Sequence, residues 1–252
     1  MRAVRRAMGL ALLMVIGAAP GTAHAGRSFF GWLYGPEVLP ERGVELQQWL
    51  WEEDDKNGPA HARQTQMWWA PTIGVTDQLE VSLPVVFSWQ VSETESPSFT
   101  LASYGIDVRY RLVSQDPVDR PAFAPLVRVA LSRDVTSRDG IIGAADLVGA
   151  YDISEDVQAA IDLGVEAEVH EAHHPTDSEL HAGVGLSVRA VGDVRFGAEA
   201  FTAISLQSST YSWAAIGPNL AVTHGRFWLS AAFGVGIYHI SYAPRMMWGV
   251  LF

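Results

Sequence analysis

Three imidazoles and a carboxylate, His170, Glu171, His173 and His174, fall within one short stretch of the chain. That donor set suits zinc, copper or nickel. Its spacing matches no fixed zinc motif, and a loop does not hold ligands in place before the ion arrives, so adventitious binding is the plainer expectation. A second pair, His239 and Ser241, shares a face if it lies on a strand, as a base and a nucleophile require. No third group orients the imidazole, because Asn219 on the neighbouring strand is out of register with His239 across a turn at Gly225. The acids Glu52, Glu53, Asp54 and Asp55 can meet divalent cations that bridge lipopolysaccharide, although such a run at a loop tip is usually solvated. No glycine-rich phosphate loop is present, and no cofactor is expected.

The chain has 252 residues and no cysteine, which excludes a lipid anchor on cysteine, a disulfide and a thiolate metal site. At its N-terminus Arg2, Arg5 and Arg6 precede an apolar run from Met8 to Ala19, closed by Pro20 and Gly21 and followed by Ala23-His24-Ala25. A basic start, a short apolar run and a small-x-small site make an export signal. The run is shorter than the roughly 20 residues a helix needs to cross a bilayer. Residues 1–25 therefore read as a signal peptide that is removed. Without its three arginines, 14 basic residues remain against 28 acidic ones. So acidic a chain is not built to neutralise phosphates, and nucleic acid is not an expected partner.

After Gly43 the chain falls into segments that alternate apolar with small or polar residues, the period of a β-strand. Val157, Ala159, Ile161, Leu163, Val165, Ala167 and Val169 point one way, and Gln158, Asp162, Gly164, Glu166 and Glu168 the other. Leu180, Ala182, Val184, Leu186 and Val188 stand likewise against His181, Gly183, Gly185, Ser187 and Arg189. One face suits lipid and the other water. The same test gives twelve strands, near residues 43–52, 62–73, 78–89, 100–112, 122–133, 140–152, 156–169, 179–190, 193–206, 210–223, 226–240 and 244–252. The fold class is thus an all-β, antiparallel, up-and-down transmembrane barrel. A soluble β-sandwich or lipocalin-like barrel also alternates. Here, however, the non-apolar face carries glycine and charge, with too few bulky side chains to build a core.

The connections support a barrel, with short links after even strands and longer polar loops after most odd ones. Aromatics fall near strand ends, where interfaces favour them: Trp89, Tyr104, Tyr211 and Tyr238 at one end, Tyr110, Phe123, Tyr151, Phe227 and Trp248 at the other. The last segment, Met246-Met247-Trp248-Gly249-Val250-Leu251-Phe252, sets Trp248, Val250 and Phe252 on one face and ends on an aromatic residue. It resembles the terminal strand signal by which outer-membrane barrels are recognised for assembly. From Tyr34 to Leu83 the sequences YGPEVLPERGVELQQWLW and IGVTDQLEVSLPV resemble the start of porin-like or transporter-like outer-membrane barrels of unassigned function. That resemblance implies a Gram-negative outer membrane, with lipid, lipopolysaccharide and the barrel-assembly machinery as partners.

The inward positions carry Glu80, Asp107, Arg109, Arg111, Arg128, Asp146, Asp162, Glu166, Glu168, Arg189, Arg195 and Glu199. They make a mixed field, acid-rich on the seventh strand and arginine-rich on the fourth and fifth. Such a field lines a water-filled pore for small solutes, or pairs into ladders that close the interior. About eight strands leave an interior that side chains fill and sixteen leave a channel, so twelve lies between. Small inward residues, among them Gly164, Gly183, Gly185, Gly197, Gly234 and Gly236, leave space on one wall for water, a loop or a plug. Residues 26–42, with Phe29, Phe30, Trp32 and Tyr34, form either that plug or a periplasmic leader against the rim, since Pro36 and Pro40 oppose a strand or a long helix. A channel is the first expectation, an occluded structural or ligand-binding barrel the second and a barrel hydrolase the third.

Overall fold

In the computed structural model, alternation becomes a single antiparallel sheet closed on itself. The structure describes residues 28–54, 63–91, 98–115, 121–136, 140–170, 177–208 and 212–252. Its strands are β1 (Val44–Asp54), β2 (Arg63–Thr76), β3 (Leu79–Ser82), β4 (Val85–Val91), β5 (Ser98–Arg111), β6 (Phe123–Asp134) and β7 (Gly140–Asp152). There follow β8 (Val157–His170), β9 (Asp177–Val191), β10 (Val194–Ser205), β11 (Trp213–His224), β12 (Phe227–Tyr238) and β13 (Tyr242–Leu251). β3 and β4 are two pieces of one barrel strand, so the barrel has twelve. It closes where β1 pairs with β13, from Glu45 opposite Leu251 to Trp51 opposite Arg245. Closure leaves no unpaired edge, which a lipid environment requires of a sheet.

Two prolines explain the broken strand. Pro71 on β2 and Pro84 between β3 and β4 lack an N–H, so each removes one donor from the ladder. Pairing resumes above the break at Trp69 opposite Val85. The sequence gives one continuous strand near 78–89; the structure divides it at Leu83 and Pro84. The remaining boundaries lie within a few residues of the expected ones. The strand expected to run to residue 240 stops at Tyr238, because His239 adopts a left-handed φ of 53°.

The two faces differ in chemistry. Val129, Leu131, Leu147, Leu163, Val184 and Val235 point away from the barrel axis and are exposed. Exposed apolar side chains in such number would be a liability in water and are the expected band against lipid. Aromatics border the band: Trp89, Phe99 and Tyr238 at one end, Tyr110, Phe123 and Tyr151 at the other, where Phe123 sits directly opposite Tyr151. Tyr211 and residues 1–25 lie outside the described residues. We call the end at which β1 begins and β13 finishes the near end. Trp248, Val250 and Phe252 share the outer face there, and the Phe252 N–H reaches the Val44 carbonyl at 2.9 Å.

The Trp-rich start of the barrel also obeys the alternation. Trp49 and Trp68 face inward and stack at 4.1 Å, while Trp69 faces outward. With Ala70, Trp228 and Met247 they form an apolar patch inside an otherwise polar wall.

Candidate functional site: the lumen and the segment within it

Residues 28–43 precede β1; 28–39 lie against the inner wall, and Glu41 and Arg42 are exposed at the rim. Their prolines prevent strand pairing, so their backbone groups must find partners elsewhere. The wall supplies them from inward side chains. Glu199 on β10 accepts the N–H groups of Gly31 and Trp32 at 2.8 Å and of Leu33 at 3.2 Å. Asp162 on β8 accepts from Tyr34 at 3.1 Å, and Glu80 on β3 accepts from Leu39 at 2.7 Å. Arg245 on β13 donates to the Trp32 carbonyl at 3.1 Å, and Arg111 on β5 to that of Pro36 at 3.2 Å. Carboxylates and guanidinium groups make stronger hydrogen bonds than neutral partners, so charge on the wall fixes an irregular chain.

Apolar contacts complete the fit. Phe30 and Leu33 are fully buried and pack over Ala150 and Ala160. They fill the space left by Gly183 and Gly185 on β9, where an added Cβ would lie 2.6 Å from their side chains. Gly31 lies against the β12 backbone at Ala232 so closely that no side chain fits between. Trp32 sits among Ala215, Ala232, Ile240 and Ala243, stacks on Phe201 at 5.1 Å and donates its indole N–H to the Ala243 carbonyl at 3.0 Å. The Tyr34 ring faces three guanidinium groups, Arg128 at 4.6 Å, Arg109 at 5.0 Å and Arg245 at 5.8 Å. Each contact gains from the negative face of the ring.

The wall charges form a chain of alternating sign. Arg109 lies 3.5 Å from both Glu80 and Asp107. Arg128 bridges Asp107 and Asp146 at 2.6 Å each, and His181 bonds the other oxygen of Asp146. The belt thus crosses from β3 through β5, β6 and β7 to β9. It steps over β8 at Gly164, where a Cβ would collide with both His181 and Asp146. An ion pair buried with further hydrogen bonds is costly to break from one side, because the partner's charge then stands alone.

Beyond the belt, towards the far end, the described inner face of β8 and β9 carries carboxylates. Glu166 is inward by register yet exposed, and Glu168, Glu179 and His170 are partly so. Among the described residues, the segment fills the near part of the lumen, and the inner face of β8 and β9 above it is acidic, forming a vestibule.

Of the inward charges expected from the alternation, Glu80, Asp107, Arg109, Arg111, Arg128, Asp146, Asp162, Arg195 and Glu199 are buried inside the barrel. Glu166 and Glu168 line the vestibule. Arg189 does not join them: it stands exposed past the end of the lumen, 3.7 Å from Asp156, because β9 outruns the packed interior there. The arginines of β5 and β6 do not form a free basic wall, since Asp107 and Asp146 are interleaved with them. His181, Glu179, Glu45 and Arg245 also face the lumen. Their parity in the alternation was the available signal, obscured for Arg245 by Pro244 and for Glu45 by the tryptophans that follow. His170 lies 3.5 Å from Glu168, while Glu171, His173 and His174 lie outside the described residues. His239 and Ser241 sit in the turn between β12 and β13 and not on a strand, so the shared face that would make them a dyad is absent.

No family model and no curated protein matches the sequence. Solved structures do match in shape. An outer membrane channel from Pseudomonas putida F1 superposes with a TM-score of 0.61 over 93% of this chain and 100% of its own, at 8% identity. The β domain of the Bordetella autotransporter BrkA gives 0.57 over 84% and 100%, at 11% identity. The KdgM porin, in complex with disordered oligogalacturonate, gives 0.52 over 82% and 99%, at 10% identity. At such identities it is the fold that is shared: a closed antiparallel β-barrel of the kind these outer-membrane proteins have.

Proposed function

We propose that this chain is an outer-membrane channel for small solutes, exported by its signal peptide, whose lumen is closed from the periplasmic side by residues 28–43. The near end of the barrel is the periplasmic one, because an even strand number places both ends of the barrel there. The far end, with the acidic vestibule, faces outside. The observation that carries the reading is the way the segment is held: its backbone is bonded to Glu199, Asp162, Glu80, Arg245 and Arg111. A wall designed only to be filled would present apolar side chains. This wall presents charges that remain compatible with water once the segment leaves, which is what a pore requires. Trp248, Val250 and Phe252, aligned on the last strand, fit the role of a recognition signal for the assembly machinery.

The second reading is an occluded barrel with a structural or ligand-binding role. Complete burial of Phe30 and Leu33 favours it. Conductance decides between them. Full-length mature protein and a variant lacking residues 28–39 are inserted into planar bilayers. The channel reading expects small or infrequent steps from the first and larger, sustained ones from the second. A folded, heat-modifiable variant that passes no current would overturn it and leave the occluded barrel.

A further inference from the structure

Asp146 on β7, Asp162 on β8 and His181 on β9 come from three adjacent strands and converge on the inner face. Register brings them there: Asp146 lies opposite Gly164, Gly164 opposite His181 and Asp162 opposite Gly183. One oxygen of each carboxylate and one ring nitrogen of His181 lie within 4.8 Å of one another. The missing side chain at position 164 is what allows His181 and Asp146 to meet across β8. One oxygen of Asp162, a residue with 0% exposure, takes the Tyr34 N–H, and the other is buried with no hydrogen-bond partner. A buried carboxylate oxygen without a donor is costly, and it belongs to a member of this cluster.

The wall above repeats the demand for positive charge. Glu166 stands directly opposite Glu179, and Glu168, which has His170 at 3.5 Å, stands directly opposite Asp177, on the inner face of β8 and β9. Like charges facing each other across a ladder are destabilising unless a cation lies between or near them. Arg128 does not meet this demand alone, since it is shared between Asp107 and Asp146.

We propose that Asp146, Asp162 and His181 form a site for a divalent transition-metal ion of the zinc class, at the floor of the acidic vestibule. Imidazole with two carboxylates suits such an ion better than calcium or magnesium, which take oxygen ligands. Bonds of about 2.0–2.2 Å draw the three ligand atoms together from their present spacing. The ion replaces the hydrogen bond between His181 and Asp146, while Arg128 stays on the second oxygen of Asp146 as an outer partner that fixes the carboxylate. Glu166, one inward position above Gly164, guards the approach from outside. The ligand set uses none of His170, His173 and His174.

The test uses the full mature barrel, purified in detergent and stripped with chelator, its folding checked by heat-modifiable migration. Zn2+ is titrated by calorimetry, and Co2+ by its visible ligand-field absorption. One ion per chain is expected. His181→Gln and Asp162→Asn each weaken binding by on the order of 100-fold, while joint replacement of His173 and His174 by alanine leaves it unchanged. In the unmutated protein, Zn2+ protects His181 from carbethoxylation by diethyl pyrocarbonate, read by mass spectrometry, so a misfolded variant does not decide the outcome. Absence of binding, binding indifferent to His181→Gln, loss in the loop-histidine variant, or a His181 equally carbethoxylated with and without Zn2+ would each overturn the proposal.

Discussion

Trp32 and Glu199 are 167 residues apart in the chain, and the backbone N–H of the first lies 2.8 Å from the carboxylate of the second. With Gly31 and Leu33 on the same carboxyl group, this makes one side chain on β10 the cradle of the lumen segment. Replacing Glu199 by glutamine keeps its size but leaves a single weaker acceptor and an amide donor facing other donors. Hydrogen bonds to charged groups contribute about 1.5–3 kcal/mol each. We expect residues 28–43 to loosen while the barrel keeps its heat-modifiable migration, with faster protease cleavage within the segment and more frequent open events in bilayers. Unaltered cleavage and conductance would show that apolar packing alone holds the segment.

Phe30 tests that apolar share. Phe30→Ala leaves a cavity over Gly185 and Ala160, and truncation of a buried phenylalanine costs about 3–5 kcal/mol. The loss should fall on docking of the segment and not on the strands, so unfolding of the barrel in urea stays near the unmutated midpoint while protease access to the segment rises. A large shift in the barrel midpoint would mean that the segment and the wall unfold together.

Arg128 is the hinge of the charge belt. Arg128→Met strips Asp107 and Asp146 of their shared partner and leaves Asp107 with Arg109 alone and Asp146 with His181 alone, a loss of up to about 3–5 kcal/mol for a broken buried pair. The expected result is a lower urea midpoint at neutral pH, partly restored by acid, because protonating the carboxylates removes the surplus negative charge. Equal midpoints in the variant and the unmutated protein would show that the pairs contribute nothing net.

Leu147, on the outer face opposite Leu163, tests the membrane placement. An arginine on the lipid face near the bilayer midplane costs about 2–4 kcal/mol, whereas an exposed leucine of a water-soluble protein tolerates the change. Leu147→Arg should therefore lower stability in lipid vesicles by that amount. A neutral effect in vesicles would place the outer face in water.

Period two carried most of what the sequence could tell. Asp162 and Glu166 on one side of β8 and Ile161 and Val165 on the other needed no partner to be assigned, because a pleated strand sorts them by parity alone. What parity cannot give is distance across the lumen. That Gly183 and Gly185 make room for Leu33 and Phe30, or that Gly164 lets His181 meet Asp146, depends on which strand lies beside which and in what register. The break at Pro84 was visible as a proline and misjudged, because Val85 to Gln90 continue the alternation convincingly. His181 was read only as a member of the polar face. Its neighbour Gly164 on the adjacent strand, and not its own surroundings in sequence, is what makes it significant.

The partners that hold residues 28–43 reach from Glu80 on β3 to Arg245 on β13, so they are assembled only after β13 has met β1. The segment is synthesised first and must find its place last. Its contacts are among the most distant in sequence that the chain makes, the kind that form slowly. Undocking of residues 28–39 is then the shortest route to an open molecule, since it breaks bonds to side chains of the wall and leaves the strand ladders in place.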